Sequence, residues 1–460
     1  MGTKTLIRGG TVLSMDATIG DLPRGDVLIE DDKIVAVQAE ITPESGTVDA
    51  AVVNANGFIV IPGLIDTHRH TWETAIRGCA PNATLDDYFV EILDTFAPVY
   101  RAEDVYASNL AGALECINAG ITTLVDWSHI NNTPDHPDAA IRGLQESGIR
   151  AQYAYGSANT SLADYWFESK LAVPPEDVRR IRDTYFSSAD GLLTMALATR
   201  GPGFCTEEVV RAEWGLAREL GIPITVHVAM GRLAGRFGMI KQLSDFGLIS
   251  RESGSDTTYI HCCYFSDEEW GLVRDSRGTI SIAPQVEVQM GHGWPPVVKA
   301  LEYGLRPSLS IDVVTTVPGD LFTQMRAAFG AERARMNAVF WERNEPAEGL
   351  LTARQLLEMA TVNGAHTVGL EDRIGSLTPG KKADVVLIDA RQLNVAPVID
   401  PVAAVTLCAD VSNVDTVITD GQVQKRDGKL LGDVDRARNL VENAKDYLLA
   451  ETARRKAAAT

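Results

Sequence analysis

Residues 65–72 read IDTHRHTW and close an apolar run, FIVIPGLID, that starts at Phe58. Side chains of a strand alternate between its two faces, so His68 and His70, two positions apart, project together from the C-terminal end of that run. The same texture recurs downstream. Strand-like runs follow at ITTLVD (121–126), IRAQYAY (149–155), LLTMALA (192–198), IPITVHV (222–228), TTYIHC (257–262), TISIAP (279–284) and RPSLSID (306–312). Helical patterns lie between several of them. Over 103–119, Ala107, Leu110, Ala111, Leu114 and Ile117 share one face, and Gly120 follows as a stop. Eight apolar runs alternating with helices predict an α/β fold, a parallel TIM-like (β/α)8 barrel.

The two ends of the chain have another character. TLIRGGTVLSM and DVLIEDDKIVAVQ near the start, and ADVVLID and DTVITDGQVQKRDGKL near the end, read as short strands. The Asp-Gly pairs at 420–421 and 427–428 favour tight hairpins. Both ends are therefore expected to pair into one small β domain, with residues 1–58 as its first part and 373–432 as its second. The barrel would occupy 59–372. Residues 433–460 read as an amphipathic helix, with Leu440, Val441, Ala444, Tyr447 and Leu448 clustered, that packs on the body or on another subunit.

Composition narrows the function. The 460 residues are 45% hydrophobic and 23% charged, as in an ordinary soluble globular protein. Acidic residues number 62 against 42 basic ones, a net charge of −20, which argues against nucleic acid or an anionic membrane as partner and leaves a small molecule. No apolar run approaches the roughly 18 residues of a membrane span. The opening MGTKTLIRGG lacks the apolar core of a secretory signal. Six cysteines without a CxxC spacing read as reduced thiols, hence a cytoplasmic location.

Two further runs end in histidine, His227 in ITVHV and His261 in TYIHC, and the last ends in Asp312. A closed barrel sets its eighth strand beside its first, so Asp312 falls next to the His68–His70 pair. Barrel enzymes place their chemistry at this end of the strands. Three imidazoles and a carboxylate suit Zn²⁺ or Fe²⁺, with one coordination position left for water. A single histidine at a strand end is usually a structural residue, and an HxH pair arises by chance. Five polar groups at one mouth are another matter. His129, His136 and His366 read as structural, although His129, just past a strand end, could also touch a substrate.

With VIPGLIDTHRH, AGITTLVDW, ITVHV, IHCCYFSDEEW, LSIDVVTT, LLEMATVNGAHTVGLEDRIGSLTPGKKADVVLID and VITDGQV in this order, the chain resembles the amidohydrolase superfamily, and most of all its branch of deaminases and triazine-type hydrolases. The resemblance spans nearly the whole chain. It implies a distorted metal-bearing barrel, a β-sandwich built from both chain ends, and a homodimer or larger assembly. It also implies one metal ion held by residues matching His68, His70, His227 and Asp312. No lysine ends LLTMALA, so the bridging carbamylated lysine of two-metal members has no counterpart.

The chemistry implied is hydrolysis at an sp² carbon. Such a metal lowers the pKa of its water to about 7. Asp312 would take the proton, and His261, matching a family histidine outside the ligand set, would bond the water or the developing tetrahedral centre. One departure stands out. The deaminase branch carries a proton-shuttling glutamate three residues after its third histidine, and this chain has Met230 there. Glu287, in APQVEVQMGHGW, is the candidate replacement, supplying a carboxyl from another side of the pocket; a solvated loop acid is the competing reading. Trp72, Glu73, Arg200, His292 and Trp294 are candidate substrate contacts, Trp72 for stacking and Arg200 for pairing with a carboxylate or carbonyl. Arg77 reads as structural. The expectation is therefore a metal-dependent hydrolase of a non-peptide C–N bond in a small cyclic substrate, a deaminase first. Hydrolytic dehalogenation or a lyase reaction such as decarboxylation is the alternative, and a non-catalytic binding relative the remote one.

Overall fold

The computed structural model of the protein describes residues 3–42, 49–161, 169–188, 190–231, 237–346 and 348–459. Two sheets organise them. One gathers both chain ends: β1 (Lys4–Leu13), β2 (Asp21–Glu30), β3 (Lys33–Gln38), β4 (Ala51–Asn54) and β5 (Phe58–Pro62) from the start. β14 (Val385–Asp389), β15 (Val414–Thr419), β16 (Gln422–Arg426) and β17 (Lys429–Leu430) come from the end. Their order is β17-β16-β15-β14-β5-β1-β2-β3, with β4 beside β1. The two ends meet at the antiparallel β5–β14 pair, where Phe58 faces Asp389 and Pro62 faces Val385. The hairpins at 420–421 and 427–428 form as expected, with positive φ at Asp420, Gly421, Asp427 and Gly428.

The second sheet is the barrel. Its strands are β6 (Leu64–Arg69), β7 (Ile121–Ser128), β8 (Arg150–Tyr155), β9 (Leu193–Thr199), β10 (Ile224–Val228), β11 (Thr257–His261), β12 (Thr279–Ile282) and β13 (Ser308–Leu309). They run parallel and in chain order. β6 and β7 are buried along their whole lengths, as a parallel sheet covered on both faces requires. β13 is only two residues long, and the ring closes just past it. There Asp312 donates its N–H to the His68 carbonyl at 3.0 Å, and His70 donates its own to the Asp312 carbonyl at 2.9 Å. Ring closure and the quoted histidines are thus one feature.

One element differs from expectation. FIVIPGLID is two strands, not one: β5 belongs to the terminal sheet and β6 to the barrel, with Gly63 between them. A Cβ on Gly63 would sit 1.9 Å from the Thr122 hydroxyl, so only glycine lets the chain cross from one sheet to the other here. Periodicity within an apolar run cannot reveal such a crossing, because both halves are equally buried.

The helix Ala102–Asn118 matches its sequence pattern and ends at Gly120. The C-terminal helix Val434–Ala459 packs against it, burying Ala444 and Leu448 and laying the Tyr447 ring under the Arg101 guanidinium. Beneath the barrel, Ala365, Val368 and Ile374 join Ile65, Val125, Trp127 and Ile260 in one apolar cluster. That cluster plugs the end where the strands start and leaves the other end for chemistry. No helix among the described residues is long and apolar enough to cross a membrane.

Candidate metal centre

His68 lies on β6 and His70 one residue past its end; His227 is on β10, His261 ends β11, and Asp312 follows β13. All five are buried. Ligand atoms of His68, His227, His261 and Asp312 lie within 4.8 Å of one another. Asp312 Oδ1 stands 3.2 Å from His68 Nε2 and 3.4 Å from His70 Nε2, and Asp312 Oδ2 is 3.7 Å from His261 Nε2. The Nε2 atoms of His68 and His227 are 3.2 Å apart.

These separations fit a cation. Donors at the corners of a tetrahedron about 2.0–2.1 Å from zinc stand about 3.3–3.4 Å apart. The tautomer of His70 fits as well. His70 gives its Nδ1–H to the Trp127 carbonyl at 3.0 Å, so its Nε2 lone pair faces the centre. Burial pushes the pKa of His70 and of His227 well below the ordinary imidazole value, and that of His68 below it, which leaves neutral rings of the form a metal takes. Burial acts against ionisation of Asp312 too, yet the hydrogen bond from His68 and the neighbouring imidazoles hold its carboxyl far below the usual range. His261 and Asp312 both adopt left-handed backbone, φ +75° and +70°, an uncommon conformation for non-glycine residues.

Asp66, inside the quoted stretch, is a residue that sequence reasoning passed over. Its Oδ1 accepts from Ile311 N–H at 3.1 Å and from His68 N–H at 3.4 Å, tying the first strand to the last directly beneath the centre. Burial raises its pKa to about 7.

A pocket opens over the donors. His129, His292, Tyr88 and Met230 form part of its wall, and Leu85, Phe89, Met290 and Val313 make the apolar remainder. Of the expected substrate contacts only His292 is there, with both ring nitrogens buried and no hydrogen-bond partner among the described residues. Trp72 is not. After His70 the chain turns into a 3₁₀ helix, Thr71–Ile76, which buries Trp72 in the core, its Nε1–H donated to His129 Nδ1 at 3.4 Å. Arg200 also lies off the wall, donating to the Leu171 carbonyl and standing 3.7 Å from Glu213 Oε1, so it braces a loop. Trp294 is 55% exposed and outside the pocket lining. Glu73 is buried behind the wall, where it accepts the Tyr88 hydroxyl at 2.5 Å.

Met230 does face the pocket, at the position where the deaminase branch carries its glutamate. Glu287 does not line it. The helix Pro284–Gln289 turns its carboxyl away from the pocket and behind His261, with Oε1 3.2 Å from His261 Nδ1. Arg77 pairs with Glu115, and His136 bonds Thr133 and the Tyr100 carbonyl. Tyr88, Leu85 and Phe89 were not anticipated. The Thr84–Asp87 capping box announces a helix start, but nothing local says that this turn leans over the mouth.

Comparison with known proteins agrees with this geometry. Residues 59–424 match the amidohydrolase family. A 5'-deoxyadenosine deaminase of Methanosarcina acetivorans is 30% identical over 426 residues, covering 91% of this chain and 92% of that protein. The crystal structure of an atrazine chlorohydrolase from Arthrobacter aurescens, complexed with zinc, superimposes with a TM-score of 0.82 at 25% identity, covering 96% of this chain and all of the other. An adenosine deaminase of Xanthomonas campestris with bound zinc gives 0.81 at 21% identity, covering 97% and 98%. The matched stretch runs from β5 through the end of the barrel into the terminal sheet and includes every donor at the mouth: the chain belongs to the amidohydrolase family.

Proposed function

We propose that the protein is a metal-dependent deaminase that replaces an amino group of a flat, neutral heterocycle, an aminated purine or a purine nucleoside, with oxygen and releases ammonia. One observation carries this reading: five polar side chains from four strand ends converge, four of them with ligand atoms within 4.8 Å of one another and His70 Nε2 3.4 Å from Asp312 Oδ1. The relative's activity on 5'-deoxyadenosine supports the choice of leaving group. We assign a single ion, zinc, with iron as the alternative because such nitrogen and oxygen donors suit both, held by His68, His70, His227 and Asp312. When bound, it lowers the pKa of a coordinated water to about 7.

The chain's own residues do the rest. Asp312, kept ionised and facing the shared point, accepts a proton from the attacking water and passes it towards the departing nitrogen. His261 faces the same point and accepts a hydrogen bond from the water. His292 offers ring nitrogens to the heteroatoms of the substrate, and His129 lines the same wall. Met230, Met290, Leu85 and Phe89 pack its faces, where thioethers and apolar rings adapt to a flat ligand. The free thiols and the family resemblance support a cytoplasmic homodimer or larger assembly.

Dehalogenation is the second reading, favoured by Met230. Ammonia leaves poorly without an acid, whereas chloride needs none. The deciding experiment loads the purified protein with zinc and follows ammonia and chloride across aminopurines, purine nucleosides including 5'-deoxyadenosine, aminopterins and chlorotriazines. We expect ammonia equal to the amine consumed. Chloride without ammonia would replace the first reading with the second.

A further inference from the structure

We propose that Glu287 is a positioning residue that fixes the tautomer and orientation of His261. The inference rests on the hydrolytic reading of the centre, but its first readout does not need turnover.

Glu287 is fully buried. Its Oε1 accepts the Ala283 N–H at 2.9 Å and lies 3.2 Å from His261 Nδ1. An oxygen already accepting from a backbone N–H is the acceptor towards the ring as well, so Nδ1 is the atom that carries the proton. The opposite nitrogen, Nε2, then turns a lone pair towards Asp312 Oδ2, 3.7 Å away. No Lys or Arg nitrogen among the described residues comes within 4 Å of the Glu287 carboxylate; His261 alone pairs with it. The ring needs this support. His261 sits on left-handed backbone at the end of β11, with the imidazole of His292 edge-on at 4.7 Å. Neither His292 nitrogen holds it.

The arrangement orders the centre's hydrogen bonds. With Nδ1–H committed to Glu287, His261 meets a water O–H as an acceptor, in the same sense that a buried carboxylate orients an active-site imidazole elsewhere. The sequence holds Met230 where the deaminase branch carries a carboxyl, and holds Glu287 behind the imidazole instead. Glu287 works through a histidine, not directly on the substrate.

The test uses the zinc-loaded full chain labelled with ¹⁵N-histidine, as wild type, Glu287→Gln and Glu287→Leu. Long-range ¹⁵N–¹H spectra, with His261 assigned through His261→Gln, read the tautomer; zinc per protomer, kcat and KM are measured beside them. Gln keeps an acceptor oxygen for both N–H groups. It should retain the Nδ1–H signal of His261 and lose about 10-fold in kcat, whereas Leu should lose the signal and about 100-fold, the range seen for partners that orient metal-site groups. Zinc content and KM should stay within twofold in both. A Leu variant that keeps the Nδ1–H signal, or keeps kcat within twofold, overturns the proposal. So does a loss of zinc in step with activity, which would make Glu287 part of the metal's support. If wild type shows the tautomer but releases neither ammonia nor chloride, the functional reading has failed and the positioning inference has not.

Discussion

Two of the places where this barrel buries charge do it in opposite ways. Where the barrel rests on the terminal sheet, Arg150 at the start of β8 gives Nε–H to Asp384 Oδ2 at 3.0 Å and Nη2–H to Asp384 Oδ1 at 3.2 Å and Asp420 Oδ1 at 2.7 Å. Asp420 returns its own N–H to Asp384 at 2.7 Å. Every strong donor finds an acceptor within the protein. At the other end of the same strands the groups face one another without such a match. Two imidazole nitrogens confront each other at 3.2 Å, and His292 has no hydrogen-bond partner among the described residues. Buried polar groups are normally satisfied, so a cluster that is not is one completed from outside. The seam is finished by the chain itself; the mouth is built for an ion and a substrate.

The contrast should break cleanly under mutation. His227→Ala removes one of the donors at the mouth. We expect turnover to fall at least about 10³-fold, some 4 kcal/mol of barrier at 1.36 kcal/mol per decade. Zinc per protomer should fall with it, and the far-UV circular dichroism should hold. Full zinc occupancy in this variant would show that the ion, if any, is held elsewhere.

Arg150→Met does the reverse. It strands the buried Asp384 carboxylate beside Asp420, and breaking a buried pair in this way costs about 3–5 kcal/mol. The urea midpoint should drop accordingly, while zinc content and kcat at 25 °C stay within twofold. A parallel loss of zinc would mean that the two ends of the barrel are coupled and the division between seam and mouth is false.

The same contrast explains what the sequence discloses. Strand interiors are governed by an alternation of period two, so the eight runs, the shared face of His68 and His70 and the strand-end positions of His227, His261 and Asp312 are all legible. Beyond a strand's last residue the chain's direction depends on contacts far away in sequence. That is why Trp72 turns into the core through a 3₁₀ helix, why Arg200 braces Leu171 and Glu213, and why Glu287 lies behind His261 when a place on the wall was expected. Tyr88 reaches the pocket from a short turn held by Glu73, a pairing of 15 residues' separation with no periodic signature. Gly63 was invisible for a related reason, since the Thr122 hydroxyl that forbids a side chain there comes from β7.

The smallest expected effect is the most discriminating for the pocket's boundary. Trp294 follows His292 by two residues and reads from sequence as a candidate substrate contact. It is 55% exposed, and the wall ends at His292, whose neighbour Gly293 has φ +144° and lies against Cys263 and Tyr264. Two residues that alternate on a strand would share a face; here the glycine's conformation breaks the alternation and turns the indole outward. Trp294→Ala should therefore change kcat and KM by less than twofold and stability by no more than about 0.5 kcal/mol, as for a surface position without special contacts. His292→Ala, made beside it, should raise KM by tenfold or more, because a buried imidazole with no hydrogen-bond partner among the described residues is left for the substrate to bond. If Trp294→Ala raises KM as much as His292→Ala does, the loop folds over the bound substrate, and the mouth is completed by a moving segment of the chain as well as by the ligand.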